Sequence, residues 1–569
     1  MSKLKYLITS KNKKFNPSFG QKVYMHPSLN LDSKKNGLNK YIWNSNKRKK
    51  KDYFYLKTVY ENNLKYLTKT LNLIHNEKKP VSYWRIIIGP WLMDFLTFIY
   101  DRIESIRRYK KYNLKIILSK KKNIITPNSL IDFEYMANND DWNLILDSFI
   151  IQNYFKKNFR IKKKVINFNI KKIYHQNQLS LKDNILNYLE KIINFLCFKK
   201  KSFLIYQSYL NRLNIFKISK NFNYFQFVDH NNYYDYTQFK YNKSLRNFLF
   251  TKNKKKNLDQ IFKDILPHVL PKQYLEGYKY FMNNSKNKFN DLKKVNFILT
   301  SVAYWYDETF KFFLADQKIK KTKIIIGQHG GLCHKYDQRL DHIMKISDQY
   351  LSWGNQHYEN SKILKIGTLK SKIDIKRDKP KYWAVLTVNT RPRCSFRIQS
   401  LMMNNQYFSY LVQIKKFLNN FPLEIRRKIA IKSLKEDYGW NVKEYFKKNF
   451  PEMDFYDDIE IEKLLNVSKL HIGSWLATIE SETMRINYPT IIFNADKHFE
   501  HSKKLNFIFN DLKKKKLLFD DPKKASNYLI SLFKNENFEK KNYKKNYFIK
   551  YLTPEIDLNK IINYLKINT

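Results

Sequence analysis

Glycine is scarce in this chain, with 11 residues among 569. No G-x-x-x-x-G-K-[ST], G-x-G-x-x-G or G-x-S-x-G can be read, which takes P-loop NTPases, dinucleotide dehydrogenases and α/β-hydrolases out of the front rank; the missing H-E-x-x-H does the same for zincins. Cysteine is scarcer. Cys197, Cys333 and Cys394 lie far apart with no C-x-x-C spacing, which argues for a reducing compartment and against a disulfide frame or a zinc site. Long apolar runs are missing too: Ile86 to Tyr100 is too short to span a bilayer and carries Asp94. The start, Met1-Ser2-Lys3-Leu4-Lys5, has no secretory pattern. The expectation is a cytoplasmic protein, with a peripheral place at the inner face of the membrane open to it.

Acidic residues are outnumbered, 50 against 108 Lys+Arg, for a net charge of +58. Such an excess ordinarily points to nucleic acid or an anionic membrane. Here it is mostly lysine, spread along the whole chain together with abundant Asn, Ile, Tyr and Phe, as an AT-rich coding bias produces. Runs such as Lys47 to Lys51, Lys162 to Lys164 and Lys513 to Lys516 therefore read as solvated faces. No specific nucleic-acid partner is expected, while attraction to anionic lipid headgroups stays open. With 43% hydrophobic residues the chain can bury sizeable cores, and its length exceeds what one core holds.

The central stretch is Lys323 to Gly331, K-I-I-I-G-Q-H-G-G. Three isoleucines between a charge and a glycine fit a strand buried on both faces of a parallel sheet. Gln328 and His329 then fall between Gly327 and the pair Gly330-Gly331, on a loop where backbone can approach a ligand. Asn296 to Ser301 and Asp307 to Gln317 precede it as strand and helix, a right-handed βαβ unit. Upstream, Tyr53 to Glu77 carries an amphipathic helix, and Tyr83 to Trp91 an apolar run with a Gly89-Pro90 break before a second helix to Arg107. Arg85, a cation among apolar residues, asks for a partner. After about residue 375 a second alternation begins: strands at Trp383 to Val388, Lys428 to Leu434, Lys469 to Gly473 and Pro489 to Phe493, with helices between them. The expected divisions are 1–375, 376–540 and a helical tail, 541–569, placed to cross back onto the first domain.

In the second region Gly473-Ser474-Trp475-Leu476-Ala477-Thr478 closes a strand and opens a helix, bringing hydroxyls and free backbone N–H groups to a site suited to phosphate. Glu482, next to Thr483, could take hydrogen bonds from a ribose diol. Asp437, at the end of another strand, is a competing carboxylate. A plain helix cap or a solvated carboxylate would give the same letters.

Six ordered segments carry a resemblance: Tyr83-Trp84-Arg85-Ile86-Ile87-Ile88-Gly89-Pro90-Trp91, Tyr274-Leu275-Glu276-Gly277, Gly327-Gln328-His329-Gly330-Gly331, Ser347 to Gly354, Glu436-Asp437-Tyr438-Gly439-Trp440, and Glu482-Thr483 before Pro489 to Phe493. In this order they are similar to a bacterial family of surface-carbohydrate transferases, the LIC family, from about Tyr6 to Asn535. The chain departs from the family pattern at residues 23–28 and around Leu332-Cys333-His334.

The resemblance implies a GT-B glycosyltransferase: two Rossmann-like α/β domains with parallel sheets facing a cleft, plus helical insertions. Such an enzyme moves a sugar from a nucleotide donor, CMP-linked Kdo being one choice, to a growing lipopolysaccharide, capsule or lipid-linked glycan. It implies His329 or Asp437 as catalytic group. Gln328, Gly330, Gly331, Arg85 and Glu276 would bind substrate, and Ser474, Thr478, Glu482 and Thr483 the nucleotide. No metal and no resident cofactor are expected. A polyol-phosphate transferase, a sugar-nucleotide isomerase on the same fold, and a non-catalytic basic nucleic-acid-binding protein are the alternatives.

Overall fold

In the computed structural model the isoleucines of Lys323–Gly327 are buried on both faces, between parallel neighbours at Phe297–Thr300 and Gln349–Ser352. The structure describes all residues except 1–4, 13–14, 16, 18–20, 25–28, 30–40, 121–122, 166–180, 198–201, 223, 227–228, 230–234, 251–256, 293–294, 331–334, 356–359 and 569. Gly331, the Leu332-Cys333-His334 departure and most of the 23–28 departure lie outside the described residues.

Fifteen strands among the described residues form three sheets, and all of their pairings are parallel. The first contains β1 (Lys5–Ile8), β2 (Gln21–Tyr24), β3 (Lys115–Ser119) and β4 (Arg160–Lys164), in the order β2-β1-β3-β4. The second runs β5 (Phe203–Ile205), β6 (Phe297–Thr300), β7 (Lys323–Gly327), β8 (Gln349–Ser352) and β9 (Ile363–Lys365) in chain order. The third contains β10 (Tyr382–Val388), β11 (Ile429–Ser433), β12 (Phe455–Tyr456), β13 (Ser468–Gly473), β14 (Thr490–Phe493) and β15 (Leu518–Phe519), in the order β12-β11-β10-β13-β14-β15. The part before residue 375 thus holds two sheets. In the first of them β1 and β2 overlap Tyr6 to Ser10 and Val23 to His26, which read as strands in sequence, whereas β4 is the polar edge segment R-I-K-K-K and lacks an apolar strand signature.

The break expected at Gly89-Pro90 does not occur. One helix, Val81–Arg107, runs through Pro90. A proline inside a helix costs on the order of 3 kcal/mol. Nearly the whole helix is buried, including Trp84, Trp91 and Phe95, so packing at about 1.5–3 kcal/mol per large apolar side chain outweighs that cost.

Two segments tie the units together. The loop after β10 enters the core of the N-terminal half. There Arg397 pairs with Asp94 (3.2 Å) and Glu134 (2.9 Å), Arg393 with Asp140 (2.8 Å), and Phe396 and Ile398 join that core. The C-terminal segment returns to the second sheet: Asn355 N donates to Tyr551 O (2.7 Å), Thr368 N to Pro554 O (2.8 Å) and Asp557 N to Ile366 O (2.7 Å). A Cβ on Gly354 or Gly367 would strike that returning backbone, so both positions require glycine. Among the described residues no helix is long and apolar enough to cross a membrane.

Candidate active site

The carboxyl ends of β7 and β13 meet across a cavity of about 230 Å³. One wall comes from the second sheet and its helices, with Tyr304, His329, Gly330 and Arg339. The other comes from the third sheet, with Arg391, Gln399, Leu401 and Trp475 to Thr478. The walls approach so closely at Gly330 that a Cβ there would lie 2.9 Å from Thr478 Oγ1. The helix Thr478–Arg485 begins at the cavity, so its first turn and positive dipole end belong to the wall.

Two arginines set the charge of the cleft. The Arg391 guanidinium lies 4.7 Å from the Trp475 ring centroid, and its Nε is buried without a hydrogen-bond partner among the described residues. Burial pushes its pKa down to about 10, against the attraction of Asp496. The Arg339 guanidinium lies 4.9 Å from the Trp305 ring, donates from Nε to Tyr304 Oη (3.3 Å), and keeps Nη2 buried and unpartnered among the described residues. Asp337 lines the same cavity, but its Oδ1 accepts the backbone N–H of Arg339 (2.9 Å). Desolvated guanidinium groups without a bonded carboxylate are a receptor for an anion with several oxygens.

His329 Nδ1 shares a 2.6 Å hydrogen bond with the Tyr209 hydroxyl, and the rings stack with centroids 5.3 Å apart. The ring is exposed at the cleft, yet the protein packed around it, followed by the positive charges of Arg339 and Lys370, lowers its pKa below the ordinary 6.5, so it is neutral at neutral pH. Lys370 in turn pairs with Glu482 (3.1 Å) and lies 5.4 Å from the Tyr209 ring centroid. His329, Tyr209, Lys370 and Glu482 therefore form one connected chain, in which His329 lines the cavity and Glu482 does not.

Other expected site residues are spent on structure. Gln328 is buried at the strand end, where its Oε1 accepts from Trp353 N (2.8 Å) and its Nε2 donates to Gly330 O (3.5 Å). Ser474 is buried with its hydroxyl 2.5 Å from Tyr410 Oη. The Thr483 hydroxyl donates to Ile479 O (3.0 Å) and accepts from Thr490 Oγ1 (2.9 Å). The Asp437 carboxylate accepts Asn441 N and Val442 N, both at 2.7 Å, and opens the helix Val442–Asn449. Arg85 closes a two-pronged pair on Glu61 (2.8 Å each), and Glu276 a buried two-pronged pair with Arg246 (2.7 Å each). None of these six lines the cavity. In each case a polar group buried or half-buried by the fold takes the nearest partner, because leaving it unmade is costly.

The structure adds residues not singled out in the sequence: Arg339, Arg391, Trp475, Tyr209, Lys370 and Glu480. Arg391 had a usable signal, since it follows a buried strand by three residues in Val388-Asn389-Thr390-Arg391. Arg339 had none among so many cations. Glu480 lies under the cleft, where its Oε2 accepts from Ala477 N (2.9 Å) and its carboxyl packs against Gly473. Burial raises its pKa to about 8, despite the backbone hydrogen bonds that favour the anion. A neutral Glu480 leaves the positive end of its helix unopposed.

Among curated proteins the chain has no match. Solved structures similar to it include the S. aureus MnaA–UDP co-structure (10% identity, 51% of this chain and 80% of that one, TM-score 0.34). Others are the Neisseria meningitidis UDP-GlcNAc 2-epimerase bound to UDP-GlcNAc (10%, 52% and 81%, TM-score 0.32) and Acinetobacter baumannii MurG (11%, 65% and 99%, TM-score 0.31). These likenesses are distant, and the reading of the cleft rests on its own residues. The family model described as LIC12162 family transferase matches residues 6–536, nearly the whole chain. The protein belongs to that family of transferases.

Proposed function

We propose that the protein is a glycosyltransferase that moves a sugar from a nucleotide-sugar donor to a growing cell-surface glycan. The observation that carries this reading is the convergence of Arg339, Arg391 and the N-terminus of helix Thr478–Arg485 on one cleft that also holds the neutral His329. Phosphate is the ligand class such a receptor fits, through guanidinium forks and free N–H groups. The donor phosphate lies between Arg391 and Thr478. Its ribose reaches toward Glu482 at the Lys370 edge, and the acceptor enters beside Tyr304 and Tyr350.

In the transfer the bond from the anomeric carbon to the phosphate oxygen breaks, the acceptor oxygen bonds to that carbon, and the acceptor hydroxyl proton passes to the departing phosphate, which leaves with the nucleotide. The phosphate gains charge as it leaves, so the arginines bind the transition state more tightly than the ground state. A ring whose pKa is lowered by its surroundings and by Arg339 and Lys370 is a poor proton acceptor. A phenol proton given by Tyr209 to Nδ1 sets the tautomer with Nε2–H, a donor to the leaving phosphate. Lipopolysaccharide, capsule or a lipid-linked glycan at an anionic membrane surface is the acceptor class, and CMP-Kdo is one candidate donor.

A thermal-shift panel of CMP-, UDP-, GDP- and CDP-sugars tests the reading, since a ligand that binds only the folded state raises Tm. A selective rise with one nucleotide class, lost in Arg391→Ala, supports it. No rise with any of them, at concentrations that saturate ordinary transferases, defeats it.

A further inference from the structure

The helix Leu181–Leu196 is seated on the protein by its polar side. Glu190 and Asn194, one turn apart, are each 3% exposed. The Asn194 side chain holds both backbone groups of Phe225, donating to its O (2.7 Å) and accepting from its N (2.8 Å). The opposite stripe is apolar and faces outward: Ile185, Tyr188, Leu189, Ile192, Phe195 and Leu196 are all exposed, Phe195 by 79% and Tyr188 by 68%. Their three- and four-residue spacing places them on one face. A helix that packs into a water-soluble core has the reverse arrangement, and contiguous apolar exposure of this kind marks a site of interaction.

The surroundings of that stripe are cationic. Lys191 on the same helix is exposed. The neighbouring helix Arg212–Ser219, whose Phe216 ring lies 6.0 Å from that of Phe225, adds exposed Lys217 and is followed by exposed Lys220, with exposed Leu213 among them.

We propose that this helix is an in-plane membrane anchor. Its apolar stripe enters the boundary between headgroups and acyl chains of an anionic bilayer, and the lysines around it meet lipid phosphates. Exposed Tyr188 and Phe195 suit that boundary, where aromatic rings partition well. A second copy of the chain is a poorer occupant, because two such faces brought together by a two-fold axis would set their lysines against each other. The anchor stands on this helix alone, so a cleft that binds no nucleotide would leave it intact.

The test is flotation of the full chain with vesicles of phosphatidylcholine alone or mixed with phosphatidylglycerol, at low and physiological salt. We expect binding to the anionic vesicles and weaker binding to phosphatidylcholine. The double variant Ile192→Glu/Leu196→Glu, at exposed positions, should keep the wild-type Tm and lose roughly tenfold to hundredfold in vesicle affinity. A Tyr188→Trp variant should show blue-shifted emission and quenching by brominated lipids. Failure of the wild type to float, or equal flotation of the double variant, overturns the anchor. So does a wild-type dimer that the double variant converts to monomer, which would make the face an interface between copies.

Discussion

Glu480→Gln isolates one buried acid beneath the cleft. In wild type the carboxyl pKa is about 8 against an ordinary 4.5, with burial as the main cause. A raised acid contributes fully to stability below its unfolded pKa, and that contribution is lost as pH climbs through the folded value. Here the loss falls between pH 4.5 and 8. At 1.36 kcal/mol per unit, the wild type should lose up to about 3 kcal/mol between pH 5 and 8 through this group alone. Glutamine keeps an oxygen for Ala477 N and cannot ionise. Urea unfolding of both proteins at pH 5 and pH 8 gives a double difference from which other titrating groups cancel. We expect the variant to gain on the wild type by about 2–3 kcal/mol over that range. A pH-independent difference, or a variant that falls further behind at pH 8, would refute the claim that Glu480 is held neutral. The functional counterpart is that nucleotide affinity at pH 7 should survive Glu480→Gln, since a neutral group replaces a neutral group.

Four other outcomes are expected. Arg391→Ala and Arg339→Ala should each weaken nucleotide binding by about 1.5–3 kcal/mol in isothermal titration, with little change in Tm, and Arg391→Lys should not restore affinity because an ammonium neither forks nor stacks as a guanidinium does. His329→Ala should lower turnover by about 10²–10⁴-fold with Tm nearly unchanged, while Tyr209→Phe keeps the ring stack and costs less; wild-type turnover in His329→Ala would remove the histidine from the chemistry. Glu482→Ala should weaken nucleotide binding more than folding, and unchanged affinity in the folded variant would assign Glu482 to its Lys370 pair alone. Glu276→Ala should destabilise the fold by about 3–5 kcal/mol by stranding buried Arg246, and a folded variant with normal stability but lost substrate binding would return Glu276 to the site.

The sequence alone determined the elements whose signal is local. Lys323–Gly327 has the limits that its apolar pattern marks, and β10, β11, β13 and β14 lie within a residue or two of theirs. Burial on both faces of a parallel sheet demands uninterrupted apolar letters, and an amphipathic helix demands a 3.6-residue period. The tertiary structure decided the rest. Edge strand β4 has a single apolar residue, Ile161, and Pro90 continues a helix because that helix is buried in the core along nearly its whole length. Partner choice was equally invisible. Arg85 meets Glu61, Glu276 meets Arg246, and Asp437 meets the amides that open a helix, whereas Arg391 and Arg339, two cations among 108, line the cavity with no bonded carboxylate among the described residues. Which polar group remains available to a ligand depends on what every other group has already bonded, and that accounting is made in three dimensions.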